Sequence, residues 1–272
     1  MGYTSARFAR LGLALVTLLS LGGCATSATG GASPAGQTSA NPTSPLVSVS
    51  ASPSAAATSV TPSPTPSVPA KPDCSELKCI AITYDDGPSA LTDQLIDDYV
   101  AAGAKATFFV NGNFVRTFPE TVKRAHQLGF EVGNHTTNHK HLPKLDDATI
   151  AKEMSSTTKN IEWATGATPT LMRPPYGERS ARVDAVAEQQ GLAVISWTSS
   201  PADWANKDTA TIVRLSLERA RPGAILLMHD THQWTVDAAP ATIKGLQDQG
   251  YTLVTVIELI GEPVPGKLYP TT

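Results

Sequence analysis

Two acids stand side by side at Asp85-Asp86, followed by Gly87 and Pro88. Two histidines four residues apart, His135 and His139, lie further along. Metal-assisted hydrolysis needs a few nitrogen and carboxylate ligands with an open position, and a separate group to take a proton from water. Four-residue spacing puts two imidazoles on one face of a helical turn, where they could share a metal. The spacing alone decides little, because histidines on a polar turn are as readily solvated. Thr136, not Glu, follows His135, so this is not the metalloprotease helix. Adjacent acids often serve as a helix cap or a solvated turn. Here they follow the apolar run 80–84 directly, and could supply both a third ligand and a base.

Such residues work only if the chain brings them together. Strand-like and helix-like segments alternate from Cys79 onward. Strands are expected at 80–84, 106–110, 130–133, 170–172, 193–197 and 224–228. Helices are expected at 91–102, 119–128, 146–165, 182–190 and 209–220, and 243–249, 251–255 and 256–260 close the domain. Strict alternation predicts a parallel sheet covered by helices. About seven such units make a closed or nearly closed (β/α) barrel the economical solution, with an open doubly wound sheet as the competitor. No glycine-rich phosphate loop follows the first strand, so dinucleotide binding has no support. The polar clusters Asp85-Asp86, His135 to His139, Arg173-Pro174-Pro175-Tyr176, Asp203-Trp204 and His229-Asp230 fall at or shortly past strand ends. In a parallel barrel those ends open onto one face, so the clusters are predicted to converge.

The remaining composition places the domain in a longer chain. The 272 residues carry a net charge of −3, too small and too evenly spread to suggest nucleic acid as a partner. Residues 1–23 read as a signal peptide: Arg7 and Arg10, an apolar run at 11–21, then Gly22 and Gly23. Leu21-Gly22-Gly23-Cys24 resembles a bacterial lipobox, which predicts lipidation of Cys24 and anchoring to the outer face of the cell membrane. An ordinary cleaved signal or an uncleaved anchor are the alternatives. Residues 24–72 are Ser, Thr, Pro, Ala and Gly without apolar periodicity, and are expected to form a disordered tether with a reach of roughly 40 Å. Residues 73–272 form the expected catalytic domain. Export to an oxidising compartment predicts a Cys74–Cys79 disulfide. Free thiols or half a metal site are the alternatives, and no second Cys pair exists to complete the latter.

Thr83-Tyr84-Asp85-Asp86-Gly87-Pro88 resembles the first motif of the polysaccharide deacetylases, the carbohydrate esterases with a NodB-homology domain. His135 to His139 matches their His-x-x-x-His motif. Arg173-Pro174-Pro175-Tyr176, Asp203-Trp204 and Leu227-Met228-His229-Asp230 match the remaining three in order. The resemblance covers about 74–260 and implies a distorted (β/α) barrel with seven parallel strands. It implies that Asp86, His135 and His139 hold a divalent metal: zinc, with cobalt or manganese as alternatives. Asp85 is then the general base and His229 the general acid for the leaving nitrogen. Arg173 would hold Asp85, and Asp203 would hydrogen-bond His229. The Tyr176 main-chain N–H would face the developing oxyanion, and Trp204 and Leu227 would wall the acetyl pocket.

Two positions depart from the family pattern: Ser200 stands where an acid is usual, and Tyr84 where Phe is commoner. His141 is an alternative to His139 as ligand. His232 and Trp234 are expected at the cleft rim, His126 on the surface and Trp163 in helix packing. Ser199 and Ser200 lack a nucleophile-elbow context, which argues against a serine esterase. The resemblance implies N-deacetylation of a cell-envelope glycan, peptidoglycan GlcNAc first, by a monomer. An O-deacetylase of a polysaccharide such as xylan and a silent glycan- or metal-binding module are the competing readings.

Overall fold

The computed structural model describes residues 71–270. The expected signal peptide, Cys24 and the tether up to residue 70 lie outside the described residues.

Eight strands form one sheet: β1 (Cys79–Asp85), β2 (Thr107–Val110), β3 (Glu131–Asn134), β4 (Leu171–Met172), β5 (Ala193–Ile195), β6 (Ile225–His229), β7 (Thr252–Val254) and β8 (Leu268–Tyr269). Every pairing is parallel. Seven strands follow the path β6-β1-β2-β3-β4-β5-β8, and β7 pairs with the first half of β1. The path curls into an incomplete barrel, the distorted (β/α) form expected. Across its open seam a single bridge joins Ser199 to Leu226.

Helices cover the outside: α1 (Thr92–Ala101), α2 (Gly112–Thr117), α3 (Pro119–Gln127), α4 (Asp147–Thr165), α5 (Ala181–Gln189), α6 (Thr209–Glu218), α7 (Gln233–Asp248) and α8 (Val256–Ile260). Their ends are written locally. Asp146 caps α4 by accepting from the Thr149 N–H, and Gly166, at φ 78°, ends it in a left-handed turn. Thr255 and Glu258 form a reciprocal capping box on α8.

All seven residues of β1 are buried, as expected for a parallel strand covered on both faces. Its period-2 alternation still sorts them. Ile80, Ile82 and Tyr84 pack outward with Leu95, Ile96 and Tyr99 of α1. Ala81 packs inward with Phe109, Leu171 and Ile195, and Thr83 and Asp85 share that inward face. Alternation therefore delivers a carboxylate to the barrel interior at the strand end.

A Cys74–Cys79 disulfide ties the entry segment to the first residue of β1. Three elements differ from expectation. Helix α7 begins at Gln233 rather than 243, because Pro240 sits inside it and masks its periodicity. Helix α2 and strand β8 are too short to leave a periodic signal. Trp163 does not pack into the core; it is 57% exposed, with the Arg116 guanidinium 4.5 Å above its ring.

Candidate active site

The five polar clusters meet at the C-terminal ends of the strands. A cleft of about 380 Å³ is lined there by Asp85, Asp86, His135, His139, Tyr176, Trp204, Leu227 and His229, with Gly177 and Trp197. The loops that build it are conformationally costly. Among the described residues, all five non-glycine positions with positive φ lie in them: Asp86, Thr136, His139, Tyr176 and Ala202. Left-handed backbone is unfavourable for side-chain-bearing residues and persists where the surroundings over-determine it.

Asp86 follows β1 and turns its side chain out of the strand. Its Oδ1 lies 3.4 Å from His135 Nε2 and 3.1 Å from His139 Nε2. The ligand atoms of the three residues lie within 4.8 Å of one another. Asp86 Oδ1 is buried, yet no donor among the described residues meets it with hydrogen-bond geometry. A buried, unpartnered carboxylate oxygen facing two imidazole nitrogens fits a divalent cation, and two His with one Asp is a donor set that zinc accepts. Burial works against ionisation of Asp86, but contact with His135 and the charges of His139 and His229 outweigh it and hold its carboxyl below the usual range. Burial pulls the His139 pKa down, favouring the neutral, ligating imidazole. His135 Nδ1–H donates to the Arg173 carbonyl at 2.7 Å, which fixes the tautomer and turns Nε2 toward Asp86.

The second carboxylate is held apart from this cluster. Arg173 is fully buried; its Nη1 donates to Asp85 Oδ1 at 2.8 Å and to Thr83 Oγ1 at 2.7 Å. Its Nε and Nη2 donate to the carbonyls of Ile195 and Ser196, and its guanidinium lies 4.3 Å from the Phe109 ring centre. Asp85 Oδ2 lies 3.8 Å from His135 Nε2. On the opposite wall, His229 Nδ1 lies 3.0 Å from Asp203 Oδ1, and the His229 ring is pushed up to about 9. Burial opposes that shift; the hydrogen bond and charge of Asp203, with Asp85 and Asp86 nearby, overcome it.

Asp230 lies beneath the first loop, fully buried, and burial pushes its carboxyl up to about 7. It packs so tightly under Gly87 that a Cβ there would sit 2.1 Å from Asp230 Oδ2. Only glycine fits between the two motifs.

Several sequence expectations are corrected. His135 and His139 do not share a helical turn; they sit on an irregular loop after β3, with Thr136 and His139 left-handed. His141 stays outside the cluster. Its Nδ1 pairs with Glu178 at 2.8 Å and its ring stacks on Tyr176. His232 and Trp234 stack on each other and do not line the cleft; Trp234 Nε1 instead donates to the Asp203 carbonyl behind it. His126 is exposed, as expected.

Two contributors left no signal in the motifs. Trp197, read as the end of a strand, enters the cleft wall against Gly177, where a Cβ would sit 2.6 Å from its ring. Glu153 of α4 is buried and accepts from the Thr137 and Asn138 main-chain N–H groups inside the His135–His139 loop. A buried acid at an inward helical position was its only trace.

A family model described as polysaccharide deacetylase matches residues 73–195. A peptidoglycan-N-acetylglucosamine deacetylase of Bacillus cereus is 37% identical over 190 residues, covering 67% of this chain and 88% of that protein. The chain belongs to the polysaccharide deacetylase family. The peptidoglycan-N-acetylglucosamine deacetylase PgdA of Listeria monocytogenes is 39% identical over 204 residues, covering 74% of this chain and 43% of that protein. The chain thus spans less than half the length of this longer relative. A solved T48 deacetylase with substrate is 40% identical, with a TM-score of 0.70, covering 72% of this chain and 98% of that one. The deacetylase family model ends at the end of β5, so Asp203 and His229 lie beyond the matched stretch.

Proposed function

We propose that the domain removes N-acetyl groups from a cell-envelope glycan, with peptidoglycan GlcNAc as the substrate, releasing acetate. The carrying observation is one cleft that joins three parts: the Asp86, His135 and His139 cluster, Asp85 clamped by a buried Arg173, and His229 kept protonated by Asp203. Relatives that act on peptidoglycan GlcNAc support the choice of substrate.

An amide is a poor electrophile with a poor leaving group. Its hydrolysis needs a polarised carbonyl, an activated water and a proton for nitrogen. A divalent metal held by Asp86, His135 and His139, zinc first and cobalt or manganese as alternatives, supplies carbonyl polarisation and acidifies water when bound. Asp85 accepts the proton of the attacking water through Oδ2, since Arg173 occupies Oδ1. His229, with Nδ1 committed to Asp203, donates its Nε2 proton to the sugar nitrogen as the C–N bond breaks. The products are acetate and a free amine. The Tyr176 main-chain N–H is the proposed donor to the developing oxyanion. Leu227, Trp204 and Trp197 offer an apolar wall for the acetyl methyl.

Acetate release from peptidoglycan, chitooligomers and acetylxylan, measured side by side, tests this reading. Preference for the N-acetylated glycans supports it. Release from acetylxylan alone moves the assignment to O-deacetylation, and no release from any leaves a binding module. We further propose that Cys24 carries lipid and tethers a monomeric domain to the outer face of the cell membrane, on the N-terminal sequence alone. A Cys24→Ala chain should then leave the membrane fraction or remain unprocessed.

A further inference from the structure

The cleft continues past its aromatic wall. Trp197 and Trp204 also line a second hollow, whose other side is built by Ser199, Ser200, Arg219 and Arg221. The two hollows share that aromatic wall and so adjoin, with His229 on one side of the tryptophans and a groove ending at a pair of arginines on the other. Among the described residues, no acidic side chain lines the second hollow.

Those two arginines differ from the others described. Arg124, Arg173, Arg179, Arg182 and Arg214 each meet a carboxylate, and Arg116 lies over Trp163. Arg219 and Arg221 are exposed, and their hydrogen bonds within the described residues go only to main-chain carbonyls. Arg219 Nη1 donates to Ser200, and Arg221 Nη1 donates to Glu218 and Ala220. The Ser200 hydroxyl accepts from the Ala202 N–H, so a neutral side chain sits where an acid could have neutralised Arg219. A guanidinium carries five donors in a planar fork, and each of these keeps most of its fork free. A free fork in a groove is suited to bidentate recognition of a carboxylate.

We propose that this arm of the groove is a subsite for a carboxylate carried on the glycan beside the sugar being deacetylated. The inference rests on the N-deacetylase reading and sharpens its substrate. Trp204, 48% exposed, offers a face for the intervening sugar, and the arginines take the acid. A peptidoglycan strand presents such carboxylates on its stem peptides, or on the lactyl ether of an alternate sugar that carries no peptide. A chitooligosaccharide presents none, so the subsite would favour peptidoglycan.

The test compares three glycans of equal length: a neutral chitooligomer, a peptide-free peptidoglycan fragment bearing the lactyl carboxylate, and the same fragment with its stem peptide. KM and kcat are measured with the metal-loaded protein and with Arg219→Gln/Arg221→Gln. The variant is expected to raise KM for an acid-bearing glycan relative to the neutral one by about fivefold, the scale of exposed charge pairs, with kcat little changed. Added salt should erode the same preference in the wild type and not in the variant. Loss confined to the peptide-bearing fragment assigns the carboxylate to the peptide. Loss confined to the peptide-free fragment assigns it to the lactyl group, whose carboxyl is an amide once the peptide is attached. Loss on both shows that the subsite takes either acid. An equal change on neutral and acidic glycans, or no change, overturns the subsite. Should the double variant fail to fold, Arg221→Gln alone serves, because Arg221 bonds only to carbonyls of its own chain segment. Binding measured by tryptophan quenching decides the question without turnover. Charge-selective binding without acetate release would therefore sink the activity and keep the subsite, whereas acetate release without charge selectivity would do the reverse.

Discussion

Asp203 holds His229 at two points: its Oδ1 lies 3.0 Å from the ring Nδ1, and its Oδ2 accepts the His229 main-chain N–H at 2.7 Å. One carboxylate thus fixes both the imidazole and the end of the strand that carries it. Asp203 is itself fully buried, and its Oδ2 also accepts from Thr235 Oγ1 at 2.8 Å. Its main-chain carbonyl accepts from Trp234 Nε1, which holds the backbone at Asp203 itself. This arrangement leaves His229 Nε2 as the proton-bearing atom free to work.

The pair sets an alkaline limit. The folded pKa of His229 is raised from 6.5 to about 9, against the pull of burial and by virtue of Asp203. The protonated form is therefore present at neutral pH, and activity that needs it is lost as pH rises through the folded value. The same shift stabilises the fold, fully below the unfolded value of 6.5 and no longer once pH has passed about 9. Asp203→Asn removes the charge and should move the alkaline limb of kcat down by about 1 to 3 units, the usual effect of one close opposite charge. A pH–rate profile at saturating metal checks this. An unmoved limb would mean that another group sets it.

Asp85 and His229 should separate by leaving group. Asp85→Asn should lower kcat about 10² to 10⁴-fold on any acetyl substrate while metal stays bound. His229→Ala should slow sugar N-deacetylation by a similar factor but spare hydrolysis of an activated aryl acetate, whose leaving group departs without a proton. Arg173 must be watched here, because it is fully buried and loses its charge partner in Asp85→Asn. Thermal melting and metal content of the variant separate a chemical defect from a folding one. Equal losses on both substrates for His229→Ala would refute its role as acid.

Metal should bind through the Asp86 cluster and nowhere else among the described residues. His135→Ala should abolish stoichiometric zinc binding in isothermal titration, and chelation should silence the wild type until zinc or cobalt is returned. Removing His135 also frees the Arg173 carbonyl of its 2.7 Å hydrogen bond, so a modest loss of stability is expected as well. Full activity in demetallated protein would end the metal assignment.

Much of this site was legible because parallel strands impose one rule on distant residues. The apolar run before Asp85 marks a buried strand, and every such strand points its polar terminus to the same face. Asp85, Asp86, Arg173, Asp203 and His229 could be gathered on that logic, and the ordered motifs named the family. The loop from His135 to His139 was not legible. Its spacing mimics a helical turn, while its real path depends on left-handed residues stabilised from outside the segment. Trp197 and Gly177 fit together only in three dimensions, as do Gly87 and Asp230. Helix α7 hid its first turns behind Pro240 for a different reason: its contacts in the fold override a local breaker.

Glu153 is the residue that fixes that loop, and it offers the last test. It is 4% exposed, and both its oxygens are spent on the loop. Oε2 accepts from the N–H groups of Thr137 and Asn138 at 3.1 and 2.8 Å, and Oε1 accepts from Asn138 Nδ2 at 2.8 Å and Lys140 Nζ at 2.9 Å. Burial disfavours its charge, yet Lys140 and Asn138 outweigh it and hold the carboxyl below the usual range. The bonded residues lie between the two histidines or directly after them, so Glu153 acts on the spacing of two proposed ligands without touching either. Glu153→Ala would leave two loop N–H groups without their acceptor at a cost of about 1 to 3 kcal/mol each. The expected outcome is zinc affinity lower by about 10 to 100-fold, the range seen when supports of metal ligands are removed. Glu153→Gln keeps one acceptor oxygen and should fall between wild type and Ala. Zinc titration and thermal melting of the metal-free proteins separate the two contributions. A lower melting temperature with unchanged zinc affinity would show that Glu153 supports the fold alone. A loss of affinity in protein that still melts cooperatively would show that the left-handed path of the loop is held for the metal.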